Sequence, residues 1–236
     1  FWGIVYFKII YYNSNKRKEN NLRKMSIIKP IIINVERIEK EDLELLLDNK
    51  DEIDIREKEI INYQDKIDCY KSEISKCKIL NCRCINSNFE KASFSDVIFE
   101  NCDFSNTNFI ESSFVRTAFI NCKIVGCNFT NAMFYNTYIK ETNAGYTNFN
   151  TSSFKEVNID TANLQCANLE DVKLHNVEFE NCNLFSSNFF NTKLQGIDFT
   201  SSNIEGIIVD IQNIKGAIVS QMQAIDLSKL LGIIIK

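Results

Sequence analysis

The chain has 236 residues, 44% of them hydrophobic, and a formal net charge of −4. That is enough apolar material for one or two domains with a sizeable core, yet one proline and seven glycines supply too little turn chemistry for a conventional sandwich or barrel. Nine cysteines without a CxxC pair, a single histidine and no glycine-rich phosphate loop argue against a zinc module, a Ser-His-Asp hydrolase and a nucleotide enzyme.

In chain order, residues 1–24 come first, with six Lys/Arg, one acidic residue and no methionine before Met25. They read as translated upstream sequence or, alternatively, as a genuine basic tail; without them the formal charge falls from −4 to −9. The run FWGIVYFKIIYY precedes its basic residues, the reverse of a secretory signal, and is too short to span a bilayer. Free thiols fit a reducing cytoplasm and no membrane. Residues 25–76 follow. Here VERIEKEDLELLLDNKDE spaces Ile38, Leu43, Leu46 and Leu47 as on a helix and begins acidic. That predicts a short helix near 40–48, then degenerate coils or extended chain to Cys77.

From Cys84 to Ile204 the frame never slips: a large apolar centre returns every fifth residue, with Ala144 the one small residue after Cys84. Two places before each centre sits a small or β-branched residue, such as Ala92, Val97, Cys102 and Thr107, and the positions between are polar. Two inward positions in five mean that the chain turns a corner each repeat. Asn and Asp beside the corner can bond their own backbone, so glycine is not needed. A second period is twenty: IFENCDF at 98–104 returns as AFINCKI at 118–124 and EFENCNL at 178–184. Four five-residue sides per coil give a square, all-β solenoid over residues 77–219 whose like residues stack in ladders. The predicted core ladders are Phe89, Phe109, Phe129, Phe149 and Phe94, Phe114, Phe134, Phe154. Twenty-five centres make about six coils, a rod on the order of 30 Å long at ~4.8 Å per coil. In residues 220–236, Ser220 can N-cap a helix through QMQAIDLSKLL, Gly232 can stop it, and IIIK closes the chain as a strand.

Residues 85–206 hold seven Lys/Arg and fourteen Asp/Glu. Glu100, Asp103, Glu111, Glu170, Asp171, Glu178 and Glu180 should face outward. A narrow negative rod repels nucleic acid and attracts surfaces built to bind it. His175 follows the centre Leu174 and reads as a surface histidine. Cys82, Cys102, Cys122, Cys127 and Cys182 occupy the small inward position and read as core residues rather than redox or metal groups; Cys166 should be more exposed. No catalytic residue, cofactor or metal ligand is expected.

SNFEKASF, CDFSNTNF and TANLQCANLEDVKL closely resemble the pentapeptide-repeat proteins, whose repeat is roughly A(D/N)LXX around a central Leu or Phe. The resemblance implies a right-handed quadrilateral β-helix. The ending AIVSQMQAIDLSKLLGIIIK is similar to that of the Qnr group, in which this module caps the helix and forms a dimer. It implies dimerisation through Met222, Ile225, Leu227, Leu230, Leu231, Ile233 and Ile235. The group also implies that an acidic homodimer occupies the DNA-binding saddle of DNA gyrase or topoisomerase IV, without binding nucleic acid itself, and protects it from quinolones. The unbroken frame means that the loops interrupting several Qnr members are absent here. The alternative is a scaffold or interaction solenoid with an unrelated partner, to which the divergent, charged region 37–76 points.

Overall fold

The computed structural model describes residues 27–48 and 53–234; the basic stretch 1–24 and Ile235 lie outside them. Its five-residue rhythm comes from backbone handedness. Asn81, Asn86, Lys91, Asp96, Asn101, Asn106 and Glu111 all have positive φ, one at every corner. Among the described residues 27 non-glycine positions do so, and twelve are Asn, the residue type that tolerates this region best. The left-handed conformation costs an L-residue roughly 1–2 kcal/mol. Hydrogen bonds between coils offset it: Phe89 N donates to Asn108 O and Phe109 N to Asn128 O, both at 2.7 Å.

The first elements are β1 (Glu36–Arg37), α1 (Lys40–Asp48), β2 (Asp54–Arg56), β3 (Lys58–Ile61), β4 (Glu73–Ser75) and β5 (Lys78–Leu80). Five longer strands follow: β6 (Ser93–Glu100), β7 (Ser113–Ile120), β8 (Met133–Lys140), β9 (Ser153–Asp160) and β10 (Lys173–Glu180). Every strand pair is parallel, and β6 to β10 run in a register of one coil, Phe94 against Phe114 and Phe134 against Phe154. Each long strand covers two sides, bent at a left-handed residue such as Asp96 or Asn136. Isolated bridges such as Asn88 to Asn108 and Lys123 to Asn143 join the other two sides. The result is a four-sided parallel β-solenoid of about seven turns, one more than the centres alone predict.

Both predicted ladders fill the shaft, and all eight phenylalanines are buried. Phe109 and Phe129 stack at 4.8 Å with 2° between their planes. Phe134 and Phe154 keep 4.8 Å but meet edge-on at 70°. Ala144 is no break: it is buried, and its N–H donates to Asn163 O at 2.7 Å.

The small inward column has a second task. Thr107 Oγ1 donates to Cys84 O at 2.9 Å, Ser112 Oγ to Phe89 O at 2.9 Å and Cys127 Sγ to Phe104 O at 2.9 Å. These side chains tie the inward column to carbonyls of the preceding coil, where Phe89 O and Phe104 O also accept from Ala92 N and Thr107 N at 3.0 Å. All nine cysteines are free, and Cys166 is the one that is not fully buried. Burial pushes the Cys69 and Cys127 thiols up to about 12 and the Cys182 thiol to about 11, so they are poor nucleophiles.

An outer ladder runs through Asn88, Asn108, Asn128, Asn148, Asn168 and Asn188. Asn108 Oδ1 accepts from Ile110 N at 3.0 Å, and its Nδ2 donates back to Asn88 Oδ1 at 3.1 Å. The ladder begins on Asp68, whose Oδ1 accepts from Asn88 Nδ2 at 2.9 Å. Aspartate suits only that first rung, because carboxylates on every coil would stack like charges.

Both ends of the shaft are covered. The region predicted as degenerate coils is regular except for one missing residue: Ile55 pairs with Ile74 and Ile60 with Ile79, nineteen apart rather than twenty. At that end α1 occupies the predicted helix position and buries Leu43 in the core beside Ile55 and Ile60. Before it, residues 27–35 form a strap along the outside. Ile28 N donates to Asn136 Oδ1 at 3.2 Å and Ile31 N to Asp96 Oδ1 at 3.0 Å. At the other end Ser220 forms a capping box with Gln223 at the start of α2 (Gln221–Ser228). Gln223 Nε2 then donates to Phe199 O at 2.8 Å and Ser202 O at 2.7 Å, which ties the cap to the end of the stack. Gly232 ends the following turn at φ 72°. Ile233 and Ile234 form no strand, so the predicted closing strand has no counterpart among the described residues.

The stack opens once. β10 pairs with β9 alone, and residues 193–200 form no strand. Phe179 and Phe199 stand 5.9 Å apart, against 4.7 Å for Phe99 and Phe119 in the same column. The other two sides stay bonded, Leu184 N to Asn203 O and Phe189 N to Ile208 O at 2.7 Å. The coils therefore diverge as a wedge, which leaves Leu174 only half-buried. Lys173 N donates to Ser152 O at 3.0 Å; Lys193, one coil on, makes no such backbone bond among the described residues. Hydrogen exchange read by NMR should show the Lys193 amide exchanging faster than that of Lys173. Equal protection would contradict the wedge.

Candidate interaction surface

The negative charge is not spread evenly. The C-terminal halves of β6 to β10, with the corners that follow them and the matching residues of the next coil, make one side of the rod. From Ile98 to Ser201 this side carries Glu100, Glu141, Asp160, Glu178, Glu180 and Asp198 against Lys140 alone, a net of −5. The other three sides over residues 85–206 hold eight carboxylates and six Lys/Arg, a net of −2. Lys140 lies 3.4 Å from Glu141, which leaves the remaining five carboxylates of that side without a lysine or arginine partner among the described residues.

The seven predicted surface acids therefore divide. Glu100, Glu178 and Glu180 share the acidic side. Asp103, Glu111, Glu170 and Asp171 stand elsewhere, most of them in local contacts. Asp103 accepts from Ser105 N at 2.9 Å and lies 3.5 Å from Lys123. Glu111 lies 3.8 Å from Lys91, and Asp171 accepts from Asn191 Nδ2. Outward placement also fails for one carboxylate. Asp96 is buried at a corner, where Arg116 Nε and a terminal guanidinium nitrogen donate to it at 2.7 and 2.6 Å. The Arg116 guanidinium holds the Asp96 carboxyl below the usual carboxylate range. The column arithmetic that defines the coils was the signal for the acidic side, since residues 98, 118, 138, 158, 178 and 198 must share one side.

His175 is exposed. A hollow of about 420 Å³ lies beside α1, lined by Glu44, Asp48, Tyr63, Lys66 and Tyr70 among others. Apart from Tyr63 these polar groups are exposed, and they include no nucleophile–base pair. No described helix is long and apolar enough to cross a membrane.

At the C-terminal end the predicted dimerisation residues separate into two sets. Leu227 packs on the core, whereas Met222, Ile225, Leu230, Leu231 and Ile233 are exposed. The helix thus closes the shaft with one residue and leaves an apolar outer face.

Several solved structures align with this chain. Trypsin-treated QnrB1, described as a plasmid-mediated fluoroquinolone resistance protein, aligns at 22% identity over 78% of this chain and 91% of its own, with a TM-score of 0.45. HetL, a pentapeptide-repeat protein involved in heterocyst differentiation regulation in a Nostoc cyanobacterium, aligns at 13% identity over 77% of this chain and 94% of its own, with a TM-score of 0.33. A pentapeptide-repeat protein of the Arabidopsis thaliana thylakoid lumen aligns at 20% identity over 54% of this chain and 72% of its own, with a TM-score of 0.34. Likenesses this loose carry no argument about function. Comparison with curated proteins finds no matching sequence. A model of the pentapeptide repeat region matches residues 72–149 and 112–189, together half of the chain. On that match, and on the unbroken frame of centres and corners beneath it, the chain belongs to the pentapeptide-repeat family.

Proposed function

We propose that this solenoid is a non-enzymatic, dimeric binding module that presents its acidic side to the DNA-binding surface of a type II topoisomerase, DNA gyrase or topoisomerase IV, and so protects it from quinolones. The observation that carries the reading is the asymmetry of charge: a net of −5 on one side of a narrow shaft. A rigid row of carboxylates complements a groove built for phosphates and steers the encounter. The exposed apolar face at 222–233 supports pairing of two rods end to end. The reading requires a cytoplasmic location, where the enzyme works. A second reading is an interaction solenoid with an unrelated partner. It is favoured by the regular N-terminal coils and α1, which no imitation of a duplex needs.

Gyrase supercoiling assays with and without a quinolone test the first reading. Micromolar protein should inhibit supercoiling or relieve the drug. A variant with Asp160→Asn, Glu178→Gln, Glu180→Gln and Asp198→Asn should lose the effect while melting normally. No inhibition and no relief by the unmutated chain would remove this reading. A monomer mass in sedimentation at the same concentration would remove its dimeric part.

A further inference from the structure

We propose that residues 23–26, which lead into the strap and lie outside the described residues, continue its course along the rod and lay Arg23 and Lys24 on the acidic side at Glu178, Glu180 and Asp198, so that the chain covers part of its own charge. The strap follows one corner. Ile31 N donates to Asp96 and Ile28 N to Asn136. Both acceptors are left-handed corner residues of one column, which continues through Glu156, Asn176 and Gly196. Three residues of strap thus span two coils, and the chain read backwards from Ile31 climbs toward the C-terminal end. At that pitch two further coils bring Met25 to the level of Asn176, and Lys24 and Arg23 fall between Asn176 and Gly196.

The corner changes where the described strap ends. Asn136, beneath the strap, is 3% exposed, whereas Asn176, the same residue type in the same column, is exposed. The wedge also opens widest here. A Cβ at Gly196 would meet nothing within 4 Å, whereas one at Gly206, on the opposite corner, would meet Ser186 Oγ at 3.0 Å. Among the described residues β10 makes no backbone hydrogen bond to residues 193–200. The mouth at Asn176 therefore presents a strand edge that the next coil does not close, the kind of edge along which an extended segment can lie.

Charge selects the flank. The side that precedes this corner carries Lys155, Lys173 and Lys193, and the side that follows it carries Asp160, Glu178, Glu180 and Asp198. A basic segment on the boundary is repelled by the first and drawn to the second. Arg23 and Lys24 there would bring the acidic side from −5 to −3. Each exposed ion pair contributes little. Lys24, however, is only four residues from the anchored Ile28, so the contact is intramolecular and needs no high affinity. Any partner that reads the acidic side must displace the segment, whether or not that partner is a topoisomerase.

A water-soluble carbodiimide, which joins a carboxylate to an amine in direct contact, is the probe, read by peptide mass spectrometry. In the full chain Lys24 should couple to Glu178, Glu180 or Asp198. Lys16 and Lys18 should not, because at the same pitch they fall past the last coil. In a mixture of ¹⁵N-labelled and unlabelled protein each coupled pair should be wholly labelled or wholly unlabelled. Hydrogen exchange gives an independent reading. Arg23→Glu with Lys24→Glu should speed exchange over residues 173–180 several-fold and leave residues 113–120 unchanged; Lys16→Glu with Lys18→Glu should change neither. Salt at about 0.5 M, where the Debye length is on the order of 4 Å, should act on the unmutated chain as the first pair of substitutions does. Coupling of Lys24 no greater than that of Lys16, pairs of mixed label that assign the segment to a second copy, or equal exchange in the Arg23/Lys24 variant and the unmutated chain overturns the proposal. Both readings are made without a partner, so their failure is separate from failure in the gyrase assay.

Discussion

Replacing Phe109 with alanine should cost about 3–5 kcal/mol, the range for emptying a fully buried phenylalanine site. The ring is 0% exposed and lies between Phe89, at 5.1 Å, and Phe129, at 4.8 Å. It also meets Phe94, Phe104 and Phe114 edge-on, at 6.1, 6.0 and 5.7 Å. Few sites are so poorly placed to relax. The backbone on every side is bonded to the coils before and after, so the shaft cannot close around the void. In a chain of this size the melting temperature should fall by roughly 6–20 °C. Phe109→Leu keeps most of the volume and should cost well under half as much. Calorimetry of the two variants checks the claim. A loss below about 1 kcal/mol for the alanine variant would mean that the rings do not form a close-packed column.

Leu43→Ala should cost about 2–5 kcal/mol, with damage that stays local. Leu43 is 4% exposed and is the one fully buried residue of α1; without it the helix keeps only the partly buried Leu47 and the surface contact of Lys40 with Asp65. Stacked coils lean only on their neighbours, so opening one end does not spread evenly through a solenoid. Hydrogen exchange followed by mass spectrometry should show lost protection over residues 53–80 and unchanged protection over 120–170. Uniform loss along the chain would indicate one cooperative block instead.

The parts legible in the sequence were those set by short, repeated local choices. The five-residue frame gave the centres, and the twenty-residue return placed Phe109 over Phe129. An acidic start before spaced leucines located α1. Even there the pattern overreached: Leu46 is 38% exposed, because a helix lying across the end of a shaft turns only Leu43 and, in part, Leu47 toward the core. The small inward column was legible as small, but its role as a donor was not, since the carbonyl it meets lies on the preceding coil and is invisible in one dimension. The nineteen-residue coil hid because its deletion falls between Tyr63 and Cys69, at a corner where the apolar rhythm is weak. The strap hid for another reason. Its place depends on Asp96 and Asn136, far along the chain, and nothing in IIKPIIINV announces them.

That strap also fixes a length. Its two anchoring amides, Ile28 and Ile31, are three residues apart and grip sites forty residues apart, Asn136 and Asp96. Three extended residues reach about 10 Å, and two increments of the rod measure nearly the same. The segment thus works as a gauge laid against the stack. Excising twenty residues between the two anchors would keep every rung matched and halve the measured interval, so the gauge would fit at one mark only. Excising twenty beyond Asn136 would shorten the rod and leave the reading intact.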